Sequence, residues 1–258
     1  MSPPATPSHD APPLSWCAIR NAAANGSRRT ARSVRTHAQL SGIRVSTSCV
    51  ADLGVGVAEP LKIDVFFDYL CPFVYRASVL LDAVQRSGRR DIEVRWRYFS
   101  LTQVNSKDDG WKVWSAPATE VVRGRLAFAA AEASRRQARF DGFHRALLAA
   151  RHRERLDIDD RDVIEKVARG QGVDLEQLRR DMADPAILGA LVSDHTQAVM
   201  EHGIFGTPTL VFADGASAYV RLAEEVAGDE SLEVFERLVA VAASEPRILE
   251  IKRPRKPN

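Results

Sequence analysis

Read as a string of apolar and polar positions, the chain organises itself from Leu61 onward, in the stretch LKIDVFFDYLCPFVY. Ile63, Val65, Phe66 and Phe67 form an apolar run of strand length that breaks at Asp68. Cys71-Pro72 then opens a helix expected to continue to about Gln85, with Ser87-Gly88 as its stop. Ile92, Val94, Trp96 and Tyr98 alternate with Glu93, Arg95 and Arg97, a period of two that predicts a second strand. The helix between the strands is long enough for a right-handed parallel crossover.

From Trp111 to about Gly203 the spacing of apolar positions shifts to three and four, which predicts a run of helices. VVRGRLAFAAAEASRRQ and FDGFHRALLAARHR read as two of them. Asp160 and Asp162 open a third, Val163 to Ala168, and Asp174 caps a fourth, LEQLRRDMA. Asp184-Pro185 reads as an N-cap followed by proline at the first helical position, starting a helix that runs toward His202. Thr209 to Phe212 returns to strand, Asp214-Gly215 is a turn signal, and Ala218 to Leu222 completes an expected antiparallel hairpin. Asp229 or Ser231 caps a last amphipathic helix, Leu232 to Ala243, before a basic tail at 246–258. The order is β-α-β, a helical block, then β-β-α.

The first 59 residues are different material. Prolines stand at positions 3, 4, 7, 12 and 13, and no acidic residue lies between Ala11 and Ala51, although six arginines do. No helical or strand period is sustained, so the segment reads as disordered. A start placed too far upstream, a targeting segment and a partner-binding tail all fit its composition. Gly54 and Gly56 precede the first strand, whereas a dinucleotide-binding glycine loop must follow one.

Bulk numbers narrow the function classes. A net charge of +2 with 27% charged residues gives no general case for nucleic acid. No apolar run approaches the roughly 18–20 residues that would cross a bilayer. Three cysteines, Cys17, Cys49 and Cys71, cannot build a disulfide framework, and no C-x-x-C is present. Few cysteines and no secretory-type apolar leader point to a reducing cytoplasm. Cys17 and Cys49 fall in the disordered segment. Cys71 stands at a strand-to-helix junction, where unpaired N–H groups and the helix dipole favour a thiolate.

Two motifs carry a family resemblance. DYLCPFVY (Asp68 to Tyr75) is similar to D-x-x-C-P-W-C-Y, and GIFGTPTLVF (Gly203 to Phe212) is similar to G-V-x-G-T-P-T. Together they make residues 60–245 resemble the DsbA-like thioredoxin superfamily. That group includes cytosolic DsbA-family oxidoreductases of the FrnE type, 2-hydroxychromene-2-carboxylate isomerases and kappa-class glutathione transferases. The resemblance implies a thioredoxin-like α/β fold with a helical insertion at about 111–190. It also implies a cis peptide at Thr207-Pro208 facing Cys71. Cys71 is implied as the nucleophile, with Pro72, Phe73, Tyr75, Thr207 and Pro208 binding substrate.

One departure matters: Val74 stands where the motif has its second cysteine. Three mechanisms follow. Cys71 works as a monothiol resolved by glutathione or another small thiol, or it activates bound glutathione in an isomerase or transferase, or redox chemistry is lost and the groove only binds. The expectations are no tightly bound cofactor, no metal, and a small-molecule or protein thiol or disulfide as substrate. No nucleic acid or membrane partner is expected, and a homodimer is allowed.

Asp68 is expected to cap the turn, with a proton relay as the alternative, and Tyr75 either donates to a sulfur-borne ligand or packs in the core. His195 and His202 read as one packed or solvated helix face, and His144 and His152, eight apart, do not have a metal spacing. Trp96, Trp111 and Trp114 should seat the insertion. The arginines at 135, 136, 139, 151, 153 and 155 read as surface, although an arginine near the cleft would suit the carboxylates of a glutathione-like thiol.

Overall fold

The computed structural model describes residues 59–117 and 119–253. The disorder assigned to the N-terminal segment, both of its cysteines and the end of the basic tail lie outside these residues.

Twelve elements follow one another: β1 (Leu61–Phe67), α1 (Pro72–Ser87), β2 (Ile92–Tyr98), α2 (Leu101–Val104), α3 (Arg125–Arg136), α4 (Phe140–His152), α5 (Arg161–Gly170), α6 (Leu175–Ala183), α7 (Gly189–His202), β3 (Thr209–Phe212), β4 (Ser217–Tyr219) and α8 (Glu230–Ala242). The sheet order is β2-β1-β3-β4. β1 pairs parallel to β2, as the crossover requires, and antiparallel to β3, which forms the hairpin with β4. This is a thioredoxin-like core with helices α3 to α6 inserted between its halves.

Alternation along β1 sorts the two faces of the sheet. Ile63 and Val65 meet Leu80, Leu81 and Val84 of α1 and Phe235 and Val239 of α8. Phe67, on the same side but nearer the end of the strand, reaches the insertion instead. Its ring lies within 6.5 Å of Tyr69, Trp96, Tyr98, Phe128, Phe140 and His144. Trp111 and Trp114 pack at the margin of the same cluster, so the tryptophans do seat the insertion. On the opposite face, Phe66 and Val211 pack with Ala198 of α7, while Arg97 bridges Asp64 and Asp194.

The structure departs from the sequence pattern in four places. Residues 111–117 and 119–124 form turns and bends rather than helix, and α3 starts only at Arg125. The reason is Gly124, which caps α3 at φ 78 against the loop after β1: a Cβ there would sit 3.2 Å from Leu70 Cδ1. Gly124→Ala combines a left-handed backbone with that overlap and is expected to cost about 1–2 kcal/mol. An unchanged urea midpoint would remove Gly124 from this account. Next, Asp184-Pro185 caps a turn rather than a helix: Asp184 Oδ1 accepts the Ala186 N–H at 2.9 Å, and α7 begins four residues later at Gly189. Finally, Asp229 precedes α8 without any side-chain cap, and β4 is shorter and earlier than Ala218 to Leu222.

Candidate active site

The end of β1 is tied down by one buried carboxylate. Asp68 Oδ1 accepts the Leu70 N–H at 2.8 Å, and Oδ2 accepts the Leu101 N–H at 2.6 Å. Asp68 thus caps the turn, as expected, and also clamps it to the segment that follows β2. Burial pushes its carboxyl up to about 6, against the lowering effect of the two N–H bonds. The turn closes with the Cys71 N–H donating to the Asp68 carbonyl at 3.1 Å. Cys71 is the N-cap of α1 and Pro72 its first helical residue.

The Cys71 side chain does not cap its own helix. Sγ donates instead to the Thr207 carbonyl at 3.2 Å, across 136 residues of sequence. Thr207-Pro208 is a cis peptide, and both residues are buried. The two motifs therefore meet at the sulfur. The Thr207 hydroxyl is buried with no partner among the described residues. Val74 is fully buried one turn into α1, so nothing redox-active occupies the position of the motif's second cysteine.

The other residues expected to bind substrate are placed differently from one another. Phe73 lies under the Arg221 guanidinium, 4.0 Å from the ring centroid, with Arg76 at 5.4 Å. Arg76 Nη1 also donates to the Leu222 carbonyl at 2.9 Å, which ties the chain after β4 to the first turns of α1. Tyr75 is buried, its ring stacked on His152 and its hydroxyl 3.4 Å from Glu225. That hydroxyl faces Glu225 rather than the sulfur, and packing is its main role. Burial, with Glu225 beside it, raises its pKa.

The insertion supplies the remaining wall, which the sequence did not mark as part of the site. Leu70, Pro72, Arg151, His152 and Arg155 line an open cavity of about 360 Å³ next to the Cys71-Pro72 junction. His152 Nε2 lies 2.8 Å from the Tyr69 carbonyl, so Nε2 carries the proton and donates. His144 Nδ1 meets the Tyr69 hydroxyl at 3.1 Å. Two histidines of one helix thus hold a single residue of the active-site turn. Burial lowers the pKa of both, and both are neutral at pH 7. No periodicity could have revealed this, because the shared partner lies more than seventy residues upstream.

His195 is packed, accepting the Ser100 N–H at 3.2 Å with its pKa pushed down to about 4 by burial, and His202 lies against Phe66. Among the described residues, no group of three or more His, Cys, Asp or Glu is placed to hold a metal ion, and no helix is long and apolar enough to cross a membrane.

The family model of the DSBA-like thioredoxin domain matches residues 62–240. An uncharacterised protein of Mycobacterium tuberculosis is 28% identical over 200 residues, covering 76% of this chain and 83% of its own. A thioredoxin-like oxidoreductase from Silicibacter pomeroyi superposes at 22% identity and a TM-score of 0.43, covering 69% of this chain and 85% of its own. A 2-hydroxychromene-2-carboxylate isomerase superposes at 16% identity and a TM-score of 0.49, covering 71% and 98%.

Proposed function

The chain belongs to the DSBA-like thioredoxin domain family, and from that premise we propose that it carries out thiol–disulfide exchange through Cys71 alone. The observation that supports this most directly is the pairing of Cys71 Sγ with the Thr207 carbonyl, beside a valine that can resolve nothing. The Cys71 thiol first loses its proton to solvent. The thiolate then attacks one sulfur of a disulfide R–S–S–R. A Cys71–S–S–R bond forms as the original S–S bond breaks, and RS⁻ leaves with the electron pair. A second small thiolate attacks the mixed disulfide, takes R–S as a new disulfide, and returns Cys71 as thiolate. Oxidising equivalents are conserved throughout, so no further oxidant is needed.

The Asp68 clamp and the contacts of Tyr69 with His144 and His152 serve to hold the turn while its sulfur changes partners. Thr207-Pro208 lies beside the sulfur, where a substrate backbone can dock. We expect no tightly bound cofactor; the small thiol is a cosubstrate. The cytoplasm, where such thiols are abundant, is the compartment that suits this chemistry.

Incubation with glutathione disulfide followed by intact-mass measurement and peptide mapping tests the proposal. One glutathionyl group on the peptide containing Cys71, absent from Cys71→Ser, is the expected result. No adduct at Cys71 would sink the exchange reading. Full turnover by Cys71→Ser on an aromatic isomerase or transferase substrate would instead move the protein to glutathione activation without covalent attack.

A further inference from the structure

We infer that Arg151, His152 and Arg155 form an anion subsite beside Cys71, so that the small thiol serving it is an anionic one rather than a neutral or cationic one. The inference rests on the exchange reading above and names the class of its cosubstrate. The cavity they line shares Pro72 with the helix start that presents the sulfur. At about 360 Å³ and open to solvent, it has room for the charged end of a small molecule.

The charges around it are uncommitted. Arg97, Arg136 and Arg179 each hold a carboxylate elsewhere in the molecule. Among the described residues, neither Arg151 nor Arg155 has a carboxylate within 4.0 Å. Arg151 Nη1 has only a 3.4 Å contact with the Leu156 carbonyl. Asp159, which feels Arg151 electrostatically, has one carboxylate oxygen on the Gly124 N–H at 2.7 Å. Arg155 sits at φ 60, a left-handed backbone that costs a non-glycine residue energy and that tends to occur at functional sites.

A second pair, Arg76 and Arg221, stands over the ring of Phe73, the residue after Pro72. Guanidinium groups therefore stand near both Pro72 and Phe73 at the helix start. Guanidinium pairs carboxylate or phosphate through two parallel hydrogen bonds. His152 is neutral with its Nε2 proton committed to Tyr69, which leaves Nδ1 as an acceptor for an N–H or ammonium of the same ligand. Carboxylate-bearing and phosphate-bearing thiols share the chemistry these groups recognise.

The rate of Cys71 adduct formation should be measured with glutathione disulfide, coenzyme A disulfide, hydroxyethyl disulfide and cystamine, each divided by its rate with free N-acetylcysteine. The anionic disulfides are expected to react about tenfold faster than the neutral one, and cystamine slower still, with the advantage shrinking as salt is raised. Arg151→Gln combined with Arg155→Gln should bring the normalised rates to a common value, while the corresponding lysine pair keeps most of the preference. A larger loss of the glutathione than of the coenzyme A preference identifies carboxylate as the ligand group, and the reverse identifies phosphate. Equal normalised rates for all charges, or a preference that survives in the glutamine pair, overturns the subsite. If no disulfide of any charge reacts, the exchange reading has failed. Calorimetry with S-methylglutathione then decides the subsite alone: binding that the glutamine pair abolishes upholds it, and no binding overturns it.

Discussion

Val74→Cys is expected to free Cys71 from the outside thiol that the proposed exchange requires. The side chain at 74 is fully buried one turn into α1, and its N–H donates to the Cys71 carbonyl at 3.1 Å. Cys71 as N-cap and residue 74 have the spacing of a C-x-x-C pair at a helix start, an arrangement that closes into a disulfide. A modest rotation of Cys71 off the Thr207 carbonyl brings its sulfur within disulfide reach of such a neighbour. Losing one buried methyl group costs no more than about 1.5 kcal/mol, so the fold survives. An attacking sulfur held in place acts at a far higher effective concentration than a millimolar external thiol. The mixed disulfide at Cys71 should therefore disappear on the order of a hundredfold faster in Val74→Cys, ending as an internal disulfide. Intact-mass kinetics without added thiol reads this directly. An adduct as long-lived as in the parent chain would show that Cys71 is not held where a partner at 74 can reach it.

Asp68→Ala is expected to lower stability by an amount that depends on pH. The substitution leaves the Leu70 and Leu101 N–H groups without their acceptor in a buried turn, at about 1–3 kcal/mol each. Opposing this, the ionised carboxylate is itself costly to bury, with its pKa raised from 3.8 to about 6. A carboxyl whose folded pKa is raised contributes stability that is fully present below the unfolded value, near 3.8. That contribution is lost as pH rises through about 6. The charged groups that also act on it are Asp159, which adds to the rise, and Arg123, which opposes it. The gap between parent and Asp68→Ala should thus be largest near pH 4 and narrow by about 2 kcal/mol above pH 6. Urea denaturation of both proteins from pH 4 to 7.5 measures it. A gap that stays constant, or widens with rising pH, would mean that Asp68 is ionised throughout that range.

The elements that carry the sulfur were legible because their signals are local. Strand alternation, a proline at a helix start and a glycine stop at Gly88 act within a few residues, and β1, α1 and β2 followed them closely. The meeting of Cys71 with Thr207-Pro208 was legible only through the two motifs together. Asp184-Pro185 misled because the same cap-and-proline chemistry that starts a helix also closes a single turn. The helix expected from Val121 was cut short at Gly124, whose left-handed backbone at φ 78 no window of local periodicity predicts. Arg151 and Arg155 looked like any other arginines on a solvated helix. Only the packing of α4 against the active-site turn, through Tyr69, distinguishes them.

The sealed valine beside Cys71 also fixes what the protein's redox state can report. In the proposed exchange one protein thiol and one disulfide give one mixed disulfide and one free thiol. At equilibrium the modified fraction then follows the ratio of oxidised to reduced thiol in the surroundings and nothing else. A paired-cysteine site releases two thiols instead, so it shifts toward disulfide whenever the whole pool is diluted, even at constant ratio. With Val74 in place the occupancy of Cys71 is insensitive to dilution, and a cell could change size or total thiol without changing the signal that this sulfur carries.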